Sequence, residues 1–90
     1  MLYELEKYII VFSSSYHCYY IESIFNSNGI KNTMRKAPRS IGKSCQTAIY
    51  ISEADLDKAL SLMKKVRIAY HSLYEIVQSG TQIYYKKVSA

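Results

Sequence analysis

Apolar and polar positions along the chain fall into short blocks whose period switches between two and about three and a half. Residues 7–12 (KYIIVF) are β-branched and aromatic, are bounded by three serines and are too few for a helix, which predicts a central, buried strand. Ser13, Ser14 or Ser15 can cap the helix that follows, because a hydroxyl there accepts a bond from an orphan N–H of the first turn. That helix is expected to run to about Asn28, since Cys18, Ile21, Ile24, Phe25 and Asn28 recur at helical spacing and Gly29 supplies a left-handed stop. Cys18 falls on its buried stripe. Residues 30–36, polar at alternate positions, predict a second strand, ended at Ala37-Pro38 because proline cannot donate to a ladder.

Residues 39–44 read as a loop and residues 45–51 as a third strand, with Cys45, Thr47, Ile49 and Ile51 on one face and Gln46, Ala48 and Tyr50 on the other. Ser52 followed three residues later by Asp55 resembles a capping box, and Leu56, Ala59, Leu60, Met63 and Val66 form the apolar stripe of a second helix. Lys64, Lys65 and Arg67 suit the negative end of its dipole. Residues 68–77 predict a fourth strand. Ser79-Gly80 then turns the chain into the Tyr-rich residues 82–88, which return as an extra edge strand or pair with another copy of the chain. The order βαββαβ predicts an α+β fold of the ferredoxin-like split βαβ type, an antiparallel sheet with two helices on one face.

Length and composition narrow the class. Ninety residues make one domain, with a core at residues 7–77 and a C-terminal extension at 78–90. At 49% hydrophobic and 21% charged residues, with one Pro and three Gly, the chain is apolar enough to fold and too poor in breakers for a disordered tail. No apolar run approaches the roughly 20 residues of a membrane span, and the acidic, Tyr-containing start does not read as a signal peptide, so a cytoplasmic location is expected. Ten tyrosines fit half-buried sheet positions with their hydroxyls in water.

The charge is unevenly placed. Between Lys31 and Gln46 stand Lys31, Arg35, Lys36, Arg39 and Lys43 with no acid, and the rest of the chain balances, so the net +5 lies in one segment. A solvated loop would carry the same charge. What adds to it is that the segment ends at Cys45. Guanidinium and ammonium groups nearby stabilise a thiolate, the nucleophilic form, and Arg39 and Lys43 are the nearest in sequence. The alternative is a small buried hydrophobe at a strand start. The two cysteines lack His partners at ligand spacing, so no metal is expected, and no phosphate loop, GxGxxG or GxSxG calls for a cofactor. His17 and His71 are isolated, and the seven acids show no pair with acid/base spacing.

Phe12-Ser13 at a strand end, Asn28-Gly29-Ile30 at a helix end, Ala37-Pro38-Arg39-Ser40-Ile41-Gly42-Lys43-Ser44-Cys45, Ala48-Ile49-Tyr50-Ile51 and Asp55-Leu56-Asp57-Lys58-Ala59-Leu60 together resemble the small bacterial family of selenium/sulfur carrier-like proteins, over about residues 7–76. The family's Pro-Arg-x-Ile-x-x-x-Cys core is matched by Pro38, Arg39, Ile41 and Cys45. Gly42 stands where Ser is common, and Gln46 replaces the Gly usual after the Cys. The resemblance implies that Cys45 accepts sulfane sulfur or selenium and passes it on, with Arg39 and Lys43 favouring the anion and Pro38 and Gly42 shaping the loop. Lys31, Arg35 and Lys36 would then form a basic docking surface for a donor such as a cysteine desulfurase, and the chain would be a carrier or accessory protein rather than a stand-alone enzyme, needing no cofactor. Two other classes stay open. An RNA or single-stranded nucleic-acid module has the same element order, although residues 45–50 lack the basic-Gly-aromatic start of RNA-recognition domains. A non-catalytic ligand-sensing or dimerising module would use residues 83–88 to form a homodimer.

Overall fold

The densest apolar run of the sequence becomes the middle of a sheet. The computed structural model describes residues 6–38 and 47–89, and in it Glu6–Phe12 form β1, followed by helix α1 (Ser15–Ser27), β2 (Asn32–Lys36), β3 (Thr47–Ser52), a 3-10 turn (Glu53–Asp55), helix α2 (Leu56–Lys65), β4 (Ser72–Ser79) and β5 (Gln82–Ser89). The strand order is β2-β3-β1-β4-β5, and every neighbouring pair is antiparallel. The chain is therefore α+β, with five strands rather than four because the Tyr-rich C-terminal stretch adds one to the edge.

Period-two alternation sorts the side chains of β1 between two layers. Ile10 and Phe12 point toward both helices and meet Cys18, Ile21 and Phe25 of α1, Ala59 and Met63 of α2, and Ile49, Ile51 and Leu73 of the flanking strands. Ile9 and Val11 point the other way, among Ala37, Ala48 and Tyr50, with Tyr74, Ile76 and Tyr85 packed around them. All four residues from Ile9 to Phe12 are essentially sealed from solvent. Burial of each contributes roughly 1.5–3 kcal/mol, so this strand anchors both sides of the sheet.

Element ends depart from the sequence reading where the chain leaves a helix. After α1, the Ile30 N–H donates to the Phe25 carbonyl at 3.0 Å and the Gly29 N–H to Asn26 at 3.4 Å, with Gly29 at φ +74°. After α2, the Ile68 N–H donates to Met63 at 3.1 Å and the Arg67 N–H to Lys64 at 3.2 Å, with Arg67 at φ +60°. Both are Schellman ends, which use the backbone groups of Ile30 and Ile68 to close a helix. β2 therefore begins at Asn32 and not Ile30, and β4 at Ser72 and not Ile68.

The expected caps differ too. Ser14 is the N-cap of α1, in an extended conformation, but its side chain makes no capping bond. Ser52 Oγ donates to the Asp55 carboxylate at 3.2 Å, a side-chain pair that stabilises the 3-10 turn, so there is no capping box and α2 starts later, at Leu56. Lys58 of α2 donates to the Asn28 carbonyl at 2.8 Å, placing a cation at the negative end of α1. Gly80 at φ +61°, followed by a Thr81 of negative φ, gives β4 and β5 the two-residue turn that suits their twist. Among the described residues no helix is long and apolar enough to cross a membrane.

Arg67 is exposed and is the one described non-glycine residue held in the left-handed region, where a Cβ is strained. Arg67→Gly is expected to raise stability by roughly 0.5–1 kcal/mol in urea denaturation, the strain relief exceeding the added unfolded-state entropy. A lowered urea midpoint would contradict this account of the helix end.

Candidate thiol site

Of the residues singled out around the thiol, Arg39, Gly42, Lys43 and Cys45 lie outside the described residues. The described chain reaches Pro38, half-buried behind the buried Ala37, and resumes at Thr47, which opens β3 and sits opposite both Phe12 and Lys36. Phe12 leads within three residues into α1, so the first turn of α1 stands at this same end of the sheet. That turn contains no acid, and its N-cap residue Ser14 makes no side-chain capping bond. The first turn of α1 thus supplies no acid of its own to the positive end of the helix dipole.

Cys18 belongs to this end as well, but it faces inward. Its side chain is fully buried and its N–H donates to the Ser14 carbonyl at 3.2 Å. Burial pushes the thiol pKa up and Glu22 adds to that, while the adjacent Thr47 hydroxyl opposes them by favouring the thiolate. The Thr47 hydroxyl is itself buried and has no partner that meets full hydrogen-bond geometry, so its contact with sulfur is weak and burial dominates. Cys18 is a core thiol, as its place on the helical stripe predicts. Cys45, the other cysteine of the sequence, lies outside the described residues.

The basic residues before Pro38 do not form one patch. Neighbours on a strand point to opposite faces. Met34 packs with the helices, Lys36 shares its side of β2, and Arg35 lies on the far face. There its guanidinium takes the Glu6 carboxylate in a fork, at 2.9 and 3.3 Å, and stacks 3.7 Å above the Tyr50 ring. The Tyr50 hydroxyl donates to the Lys36 carbonyl at 3.2 Å. Burial raises the Tyr50 pKa, and Arg35 pulls it partly back. Lys31 and Lys36 are exposed. This clamp escapes sequence reasoning, because Glu6 and Arg35 are 29 residues apart and meet only through the sheet register.

At the opposite end of β3 a groove of about 590 Å³ opens between strand and helix ends, with Glu6, Asn26, Lys31, Asn32, Ser52 and Asp55 on its walls. Two pairs of its polar groups meet, Asn32 donating to Asn26 at 2.9 Å and Ser52 to Asp55 at 3.2 Å, while the buried Asn32 Oδ1 has no partner among the described residues. The His71 Nδ1 is hydrogen-bonded to the Ser72 hydroxyl at 3.2 Å, and the His17 ring lies beside that of Tyr16, their centroids 5.9 Å apart. No group of three or more His, Cys, Asp or Glu among the described residues is placed to hold a metal.

Against known families, the one described as Putative Se/S carrier protein-like matches this chain over residues 7–75. Neither a curated protein nor a solved structure matches it.

Two expectations follow from this geometry. The raised Cys18 pKa stabilises the fold fully below the thiol's unfolded value of about 8.5, and that contribution is lost as pH rises through the higher folded value. The urea midpoint of the wild type should therefore fall toward that of Cys18→Ala as pH is raised from 7 into this alkaline window; a gap that stays constant would remove the linkage. Arg35→Lys keeps the charge but loses the fork and the stacked plane, and should cost about 1–2 kcal/mol in the same assay.

Proposed function

We propose a function from one premise: this chain belongs to the Se/S carrier protein-like family. On our reading it carries sulfane sulfur or selenium on Cys45 and hands it to a partner. The observation that bears most weight is the span of the match, residues 7–75, which takes in the whole Pro38–Arg39–Ile41–Cys45 segment, while the other thiol is sealed in the core. The strand order also supports taking the first four strands as a ferredoxin-like split βαβ core, with β5 added outside it.

The chemistry needs one exposed thiolate and little else. The Cys45 thiolate attacks the outer sulfur of a donor persulfide; a new S–S bond forms to Cys45 as the donor's S–S bond breaks, and the donor leaves as a thiolate that takes up a proton. The sulfane sulfur changes partner with no net oxidation or reduction. An acceptor nucleophile then attacks that outer sulfur and releases the Cys45 thiolate. Selenium travels the same way as a selenopersulfide. Arg39, Lys43 and the positive N-terminal end of α1 are the groups that favour the anion, Pro38 and Gly42 shape the loop, and the basic segment suits an acidic donor, such as a cytoplasmic cysteine desulfurase.

The nucleic-acid reading draws less support from the geometry. A base-stacking platform needs free ring faces on the side of the sheet away from the helices, and there Tyr50 is buried with Arg35 seated on its ring.

The test is direct. Incubation with a cysteine desulfurase and cysteine is expected to add one sulfur atom to the intact mass, to add it equally to Cys18→Ala, and to add none to Cys45→Ser. An unmodified wild type, or sulfur retained by Cys45→Ser, would falsify the carrier reading.

A further inference from the structure

Among the described residues, the order β2-β3-β1-β4-β5 leaves two strands at the edges of the sheet. β2 is five residues long and ends in Arg35 and Lys36. β5 is different: eight residues, no Pro or Gly, with Ile83, Tyr84 and Val88 each about half exposed. A long, apolar edge of this kind is a template for another strand. We propose that β5 is the dimer interface of this protein, pairing antiparallel with β5 of a second copy about a two-fold axis at Tyr85.

The backbone fixes which residues can take part. Ser79 and Gln82 flank a two-residue turn and so form a hydrogen-bonded pair. Alternation then turns the N–H and C=O groups of Gln82, Tyr84 and Lys86 toward β4, and those of Ile83, Tyr85 and Lys87 toward the open edge. Beyond Lys87 the β4 register shifts, which ends the regular stretch. Identical antiparallel strands related by a two-fold axis must place one residue opposite itself. Centring on Tyr85 sets Tyr85 against Tyr85 and Ile83 against Lys87, so all three outward residues exchange backbone bonds with the other copy. Centring on Tyr84 sends Lys87 to meet the turn residue Thr81. Centring on Lys86 leaves Ile83 beyond the regular stretch and puts Lys86 against Lys86.

Charge selects the same register. Lys86 and Lys87 are the only charged residues of β5, and both sit in its second half. Pairing about Tyr85 brings Lys86 of one copy opposite Tyr84 of the other and Lys87 opposite Ile83, so each ammonium meets an uncharged, aromatic or aliphatic neighbour. The strand is thus complementary to itself in one register and repulsive in the next. β5 lies beyond the residues that the family matches, so this interface stands independently of the carrier chemistry.

Sedimentation equilibrium of the full chain tests it, with a dimer of twice 10.4 kDa expected at high micromolar concentration. Tyr84→Lys introduces two Lys–Lys pairs and should weaken association roughly tenfold, whereas Tyr84→Glu should associate at least as tightly as wild type and more weakly in high salt. In hydrogen exchange the amides of Ile83, Tyr85 and Lys87 should be protected in the concentrated sample and exchange freely on dilution, while Tyr84 and Lys86 stay protected in both. A monomer at every concentration, a dimer that both Tyr84 variants shift alike, or outward amides that exchange freely in the concentrated sample each overturn the proposal.

Discussion

Burial of β1 on both faces is the constraint from which the rest of the structure follows. Ile9, Ile10, Val11 and Phe12 leave no face of the strand to water, so each side of the sheet has to be closed. The helices close one side through Ile21, Phe25, Ala59 and Met63. On the other, long side chains laid along the sheet do the work: Tyr50, Tyr74 and Tyr85 pack around Ile9 and Val11, and Arg35 ties the Tyr50 ring to Glu6 at the start of β1. Antiparallel neighbours on both flanks fix β1 in register, and through β3 they fix the point at which the chain returns at Thr47.

Much of this was legible in the amino-acid order. The KYIIVF block, the helical stripes with Cys18 and Met63, and the turn at Gly80 are local patterns, and local patterns survive in the fold. What the sequence did not show depends on contacts between distant residues or on backbone choices with no strong residue signature. Ile68 and Tyr70 look like strand residues, yet Arg67 takes a left-handed conformation and Ile68 closes α2, which delays β4 until Ser72. Arg35 reads as one more free cation of a basic run, while the register gives it Glu6 and Tyr50 as partners. For the thiol site, helical spacing placed Cys18 in the core correctly; Cys45, Arg39, Lys43 and Gly42 lie outside the described residues, and their roles stay proposals resting on the family and the charge pattern.

The two cysteines stand in contrasting sequence contexts, and the proposed function gives them opposite tasks. Inside the helix–sheet layer, Cys18 is surrounded by Ile, Phe and Thr and favours its neutral form. Cys45 follows a run of cations and no acids. On the proposed carrier reading this division is an advantage, because a second reactive sulfur would compete for the cargo or trap it as an internal disulfide.

The position of β1 also bears on how quickly the chain reaches its final form. β2 with β3, and β4 with β5, are pairs of consecutive strands, so each can zip up after closing a short stretch of chain, on a timescale of roughly 1–10 μs for a simple hairpin. β1 is synthesised before the other four strands but finds its neighbours last: Phe12 waits for Thr47, and Val11 waits for Ser72. Until then its apolar edge is open on both sides, and the loop-closure entropy must be met before any reward is collected. The nucleus of folding is therefore expected to form late in the contour of the chain, with the amino-terminal strand inserted between two preformed hairpins as the committing step.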